Sequence, residues 1–397
     1  MKTKGIKYFL AFFLPLWCGL LLSGCWDRNE INDLAIVLAT GIDYSNKKVE
    51  LTAQIFIPRK SGSVSSTGSS ESSPSGVTMI RTAEGSTIAE ALNRLQRKVS
   101  REMFWGHCEV VVISEQAGKQ GLREYLDFLL RYPQFREHAY VFTSGGDAKE
   151  VLALLDPLER SSAESLREMA NLGLGSRVTM LQLAQSIASP SGSAILSRML
   201  ISPADPGQKK LATTPYAKGI SLFKDGYYVK TALEPVSVGV LLLSNELNNF
   251  IMPIELPQVK GAFSIRMNDV KTTLTPSIVN GTWGMGVHIE SEGEVVLNTT
   301  NYDLANPIML SKVEEAWLNR FKELAEQALQ LAQRDLSADI YKFADQFRRY
   351  NAGIWKKNQE NWLTIYRNME VKITGNVIIT DTGKSIEPQG IPHQATN

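Results

Sequence analysis

Val49-Glu50-Leu51-Thr52-Ala53-Gln54-Ile55-Phe56-Ile57 is the stretch that settles the class of fold. Val49, Leu51, Ala53, Ile55 and Ile57 alternate with Glu50, Thr52 and Gln54, a period of two that a half-buried strand requires. The apolar run from Leu34 to Ile42 supplies its partner strand. Downstream, the composition from Arg59 to Val77 collapses to serine, glycine and threonine, too polar to repay the entropy of ordering, which predicts a mobile loop without core contacts. Beyond it Thr87-Ile88-Ala89-Glu90 has the form of a capping box, and Ile88, Ala91, Leu92, Leu95 and Val99 share one helical face. Strand and helix patterns therefore alternate here.

The alternation continues. Cys108 to Ser114 reads as a strand, Leu122, Leu126, Leu129 and Leu130 as the inner face of a helix, and Ala139 to Thr143 as another strand. Helices follow from Asp147, near Ser161 to Asn171 and near Thr179 to Ala188, until Pro190 stops the pattern. Residues 25–205 thus form a mixed α/β domain, with 59–77 as its disordered loop. From Ser202 to Lys218 prolines and weak periodicity mark a linker, and Asp225-Gly226 signals a hairpin in a small middle unit over 206–253.

A third unit spans 254–382. Its strands are expected at Val259 to Met267, Lys271 to Val279 and Trp283 to Glu290, the last two joined by an Asn280-Gly281 turn. Ser311-Lys312-Val313-Glu314 then resembles a capping box before a helix whose stripe is Val313, Trp317, Phe321, Leu324, Ala328 and Leu331. That stripe can cover the adjacent sheet or meet a partner's helix. A shorter helix groups Ile340, Phe343, Ala344 and Phe347, and Trp355 and Trp362 lie on one face as core or interface. A final edge strand around Gly375 and a polar tail over 383–397 complete an α+β, multi-domain reading.

The beginning of the chain is of another kind. Lys2, Lys4 and Lys7 precede an uncharged run from Phe9 to Leu22, shorter than the roughly 20 apolar residues that a spanning helix needs. Residues 1–24 read as a signal peptide, and Leu22-Ser23-Gly24-Cys25 has the form of a lipobox that makes Cys25 the site of diacylglycerol attachment. The alternative is an ordinary secretory signal with an incidental cysteine. Two acyl chains anchor a protein nearly permanently where one holds only marginally. The formal charge of +1 becomes −2 without the three signal lysines, a balance that gives no long-range attraction to nucleic acid or anionic lipid. Once Cys18 leaves and Cys25 carries lipid, Cys108 alone remains, so no intramolecular disulfide is available.

Specific strings now matter. Cys25-Trp26-Asp27-Arg28, with Glu30-Ile31-Asn32-Asp33-Leu34-Ala35-Ile36-Val37 and Gly41-Ile42-Asp43, resembles the start of the Ger(x)C family, the lipoprotein C subunits of spore germinant receptors. The similarity continues in Leu51-Thr52-Ala53-Gln54-Ile55, Arg101-Glu102-Met103-Phe104-Trp105-Gly106-His107, Leu126 to Arg131, and Asp339-Ile340-Tyr341 with Trp355 and Trp362. It departs in the serine-rich insert and at Tyr341-Lys342-Phe343, where the family more usually has a glycine-containing turn. The resemblance implies a non-enzymatic, lipid-anchored subunit at the outer face of the spore inner membrane. Its partners would be the integral membrane A and B subunits of a receptor for small nutrients, needed for germination.

Chemistry is sparse. The four histidines, 107, 138, 288 and 393, lack zinc-ligand spacing, and no nucleophile elbow, P-loop or calcium loop is present, so neither a metal, a cofactor nor an enzyme is expected. His107 and Cys108 are neighbours on a strand and point to opposite faces, which leaves a buried inert thiol as the favoured reading of Cys108. A free-standing solute-binding lipoprotein is the alternative function, but the second half does not repeat the first as two similar lobes would. A lipoprotein hydrolase lacks its nucleophile and base. Phe104 reads as core, whereas Arg101 and Trp105 are candidates for partner contact, since tryptophan and arginine lead among interface anchors. Core burial of Trp105 remains the competing reading.

Overall fold

The computed structural model describes residues 33–58 and 77–383. The signal peptide, Cys25, nearly all of the serine-rich loop and the C-terminal tail lie outside the described residues.

β1 (Leu34–Ser45) and β2 (Lys48–Phe56) pair antiparallel, joined at Asn46 and Lys47, whose φ angles of 50° and 59° fit a type I′ turn. β3 (Thr78–Gly85) pairs with β2, and α1 (Ile88–Gln96) follows, capped by the Thr87 hydroxyl, which accepts from the amide of Glu90 at 3.2 Å. Gly85 lies against this helix so closely that a Cβ there would stand 2.4 Å from the amide nitrogen of Ala91. Then come β4 (Glu102–Phe104), β5 (Val110–Ser114), α2 (Glu115–Gln120), α3 (Arg123–Arg131), β6 (Tyr140–Ser144), α4 (Ala148–Leu152), α5 (Ser162–Asn171), α6 (Met180–Ala188) and β7 (Ala194–Ile201). β5 runs parallel to β1, β6 to β5 and β7 to β6. One face of the sheet is filled by side chains that include Leu95 of α1, Leu126 of α3 and Leu183 of α6, the other by Val151 of α4 and Leu166 of α5.

The middle unit expected over 206–253 is corrected. β8 (Pro215–Lys224) pairs antiparallel with β7, and β9 (Tyr227–Ala232) with β8, so the hairpin turned at Asp225-Gly226 extends the same sheet. The result is a nine-stranded sheet of order β3-β2-β1-β5-β6-β7-β8-β9, with β4 beside β1. An isolated hairpin is marginal in water, while β7 offers an edge to pair with and Ile220 and Leu222 need an apolar surface to cover.

α7 (Val236–Leu243) then packs on α8 (Pro307–Leu329). A Cβ on Gly239 would stand 2.0 Å from the carbonyl oxygen of Leu324, so only glycine permits this approach. The second sheet contains β10 (Ile251–Ile254), β11 (Phe263–Val279), β12 (Thr282–Asn298) and β13 (Glu370–Asp381), in that order. The first three are antiparallel, as expected, and β13 joins parallel to β12 because the helices return the chain across the sheet. The two strands expected between Val259 and Val279 form the single β11, with a register shift between Met267 and Asp269 where the two were expected to be separate.

α8 buries Val313, Trp317, Phe321, Leu324 and Ala328 against this sheet, so its stripe serves the protein's own core. It starts earlier than Ser311: Asn306 caps it by accepting from the amide of Ile308 at 2.9 Å, and Glu314 accepts from the amide of Ile379 on β13 at 2.9 Å. Its last turns widen to a π-helix over Gln330–Leu336, followed by α9 (Phe343–Tyr350), α10 (Ala352–Asn358) and α11 (Trp362–Asn368).

Candidate partner-binding end of the N-terminal domain

The short β4 lies parallel to the very start of β1, with Leu34 opposite Glu102 and Ile36 opposite Phe104. The segment from Arg101 to His107 therefore occupies the end of the domain at which the described chain begins. Gln96 pins it there. Its side chain donates to the carbonyl of Arg101 at 2.8 Å and accepts from the amide of Met103 at 2.9 Å. Gly106 has its place because a Cβ would stand 2.4 Å from the ring of Phe104.

Trp105 is 1 % exposed and stacks on Phe135, ring centroids 4.8 Å apart, while its amide donates to Gln134 at 3.0 Å. This corrects the expectation of an interface role: a ring enclosed on all sides by its own domain has no face to offer a partner. Phe104, read as core, is half-buried and meets His107 edge-on at 5.8 Å, and His107 is exposed. Arg101 is half-buried and pairs with no carboxylate among the described residues. The surface of this end therefore includes Arg101, Glu102, Phe104 and His107.

A cleft of about 280 Å³ adjoins it, with Ile36, Leu38, Phe56 and Val77 as apolar wall and Glu109 and Arg167 at its rim. Arg167 donates to Glu109 at 2.6 Å and to Glu168 at 2.7 Å, and these carboxylates, that of Glu168 foremost, hold its guanidinium even more firmly protonated than usual. Arg160 and Glu164 pair at 2.7 Å, which lowers the Glu164 carboxyl below its ordinary range. The rim charges neutralise one another, so the cleft suits an apolar group better than a free ion.

Three polar residues within the other family strings, Asp43, Gln54 and Asp339, are buried and hold helix ends. Asp43 accepts from the amides of Ala148 and Lys149 at 2.7 and 3.1 Å, capping α4; burial pushes its carboxyl up against the pull of those donors. Gly41 leaves room for Ala148 and Leu152 of the same helix. Gln54 donates to the carbonyl of Leu152 at 2.9 Å and accepts from the amide of Ala163 at 3.2 Å, tying the end of α4 to the start of α5. Asp339 accepts from Phe343, Ala344 and the Trp362 indole at 2.9, 2.8 and 3.2 Å, and burial raises its carboxyl to about 6. The sequence places Gln54 on the polar side of a strand and Asp43 and Asp339 within family strings; their common task of holding helix ends was legible only in the fold.

Cys108 is fully buried beside Thr40, with Sγ 3.2 Å from the hydroxyl, and burial pushes its thiol up to about 11, far from a nucleophilic thiolate. Among the described residues no group of three His, Cys, Asp or Glu side chains could hold a metal ion, and no helix is long and apolar enough to cross a membrane.

A broad mixed sheet joined to a second sheet under long helices is also the architecture of a solved structure. The crystal structure of the GerBC protein matches with a TM-score of 0.55 at 15% sequence identity, covering 86% of this chain and 97% of that one. Residues 27–201 match the spore germination protein N-terminal domain, and residues 218–383 match the spore germination B3/GerAC like C-terminal domain. The protein belongs to the Ger(x)C family of spore germination proteins. Spore germination protein KC of Bacillus subtilis (strain 168) is 27% identical over 410 residues, covering 98% of this chain and 99% of that protein. Spore germination protein YndF of the same organism is 24% identical over 405 residues, covering 96% and 99%. Spore germination protein B3 is 22% identical over 380 residues, covering 94% and 96%.

Proposed function

We propose that this protein is the lipid-anchored C subunit of a nutrient germinant receptor, held by Cys25 at the outer face of the spore inner membrane. It acts there by assembly with integral membrane A and B subunits and not by catalysis. The observation that supports this most is the end-to-end correspondence with the family: both domains occur in order, from residue 27 to residue 383. Cys25 stands two residues before that match begins. Nine positions separate it from Leu34, a tether that reaches at most about 30 Å. This keeps the Arg101–His107 end of the domain close to the bilayer, where Arg101, beside Phe104 and His107, is the side chain we assign to partner contact.

The test is recovery from detergent-solubilised spore membranes. The wild-type protein should carry lipid label and bring integral membrane subunits with it. Cys25→Ala should abolish the label, and Arg101→Ala should keep the label and the melting temperature but weaken the recovery of partners. Lipid labelling that survives Cys25→Ala, or a wild-type protein recovered alone, overturns the corresponding half of the proposal.

A further inference from the structure

The near-zero charge of the whole chain conceals a local asymmetry at one end of the C-terminal domain. Between Lys342 and Met369 stand six cations, Lys342, Arg348, Arg349, Lys356, Lys357 and Arg367, against two carboxylates, Asp345 and Glu360. Asp345 engages Arg348 at 3.1 Å. Arg349, Lys356 and Lys357 pair with no carboxylate among the described residues, and all three are exposed.

Large apolar groups stand among these cations. Tyr350 at the end of α9 is 64 % exposed and Ile354 in α10 is 44 % exposed. At the β11–β12 turn Val279 is 65 % exposed. The turn and the helices belong to one end of the domain, since the Trp283 ring lies 4.7 Å from Phe347 and 6.2 Å from Trp362, and Trp355 meets Trp362 at 5.1 Å. The tryptophans thus form a rigid aromatic floor, and the exposed tyrosine, isoleucine and valine project beyond it. Single exposed apolar side chains need no explanation, but three on one cationic end do. Cations that favour anionic headgroups, combined with apolar tips of the depth of a headgroup layer, define a surface that rests on a membrane.

We propose that this end of the protein, formed by α9, α10 and the β11–β12 turn, is a membrane-contact surface that rests on anionic phospholipid headgroups. The lipid anchor would bring the body to the bilayer, and this surface would fix which side of the body faces it. The proposal uses the anchored reading only to supply proximity, and the two are separable by experiment.

The purified full-length lipidated protein is mixed with phosphatidylcholine vesicles or with vesicles containing phosphatidylglycerol, and lysine acetylation is followed residue by residue by mass spectrometry. Co-flotation with phosphatidylcholine reports the anchor. Lys356 and Lys357 should be protected on phosphatidylglycerol by about tenfold or more, as expected for several cations held at an anionic surface. Lys312, elsewhere on the body, should not be protected. Protection should disappear at 1 M salt, where the Debye length falls to about 3 Å. Arg349→Gln together with Tyr350→Ser, both exposed positions, should weaken it. Equal acetylation of Lys356 and Lys357 on both kinds of vesicle overturns the proposal. So does protection that arises only when integral membrane subunits are present, since it would make this surface a protein interface.

Discussion

The indole N–H of Trp362 donates to Oδ2 of Asp339 at 3.2 Å, and the same buried carboxylate accepts from the first amides of α9. One side chain thus ties the exit of the π-helical turn to the start of α9 and to α11. Tyr341 completes the junction by donating to the carbonyl of Ala328 at 2.9 Å. Asp339→Asn replaces an acceptor oxygen by an amide group that faces a donor. The expected cost is about 1–3 kcal/mol at neutral pH, read by chemical denaturation, because a buried donor is left without a partner. Unchanged stability would mean that the three donors are satisfied in another way.

The same carboxyl gives the stability a pH dependence whose sign is fixed. Burial raises it from 3.8 to about 6, so the folded state holds a proton more tightly than the unfolded chain does. The stabilising contribution is fully present below pH 4 and is lost as the pH rises through 6. Between pH 4 and pH 7 the stability of Asp339→Asn should therefore improve relative to the wild-type protein by about 2 kcal/mol. Denaturant melts of both proteins at the two pH values measure this difference, and a gap that does not change with pH refutes it.

Trp105→Ala should destabilise the N-terminal domain by about 3–5 kcal/mol, since it empties a stacked position beside Phe135. The melting temperature should fall on the order of 10 °C. Melting that matches the wild-type protein would return Trp105 to the surface.

Gln54→Leu should cost about 1–3 kcal/mol, because the amide of Ala163 loses its acceptor in a buried position, while the carbonyl of Leu152 keeps the Ser162 hydroxyl at 2.9 Å. Hydrogen exchange should quicken first at the start of α5. A loss of stability with α5 still protected would place the effect elsewhere.

Lys342 has a φ of 59°, in the left-handed region that glycine adopts without strain. Lys342→Gly removes a strain of about 1–2 kcal/mol and adds freedom to the unfolded chain worth about 0.4–1 kcal/mol. The expected outcome is a small net stabilisation in a thermal melt, and a clear loss would show that the lysine side chain holds the turn in some other way.

Much of the architecture could be read in the sequence because its signals are local. Alternation over Val49 to Ile57 specifies a strand, the stripe from Val313 to Leu331 a helix, and Asn280-Gly281 a tight turn, since each depends on neighbours within a few residues. The family strings were equally legible. What only the tertiary structure decided is pairing and destination. The hairpin at Asp225-Gly226 looked independent because nothing local reveals that β7 supplies its edge. The β11 bulge near Asp269 looked like a gap between two strands because polar residues interrupt the apolar pattern there. Trp105 could not be placed from sequence, since an aromatic beside charged residues has the same local appearance in a core and at an interface, and burial depends on Phe135 thirty positions away. Asp43, Gln54 and Asp339 accept from helix amides 105, 109 and 4 positions further on, and the two long separations are beyond any local signal. Sequence determines which segments are strands and helices because backbone and solvent act over one turn. It leaves to the fold which distant groups meet, because that depends on packing all the segments at once.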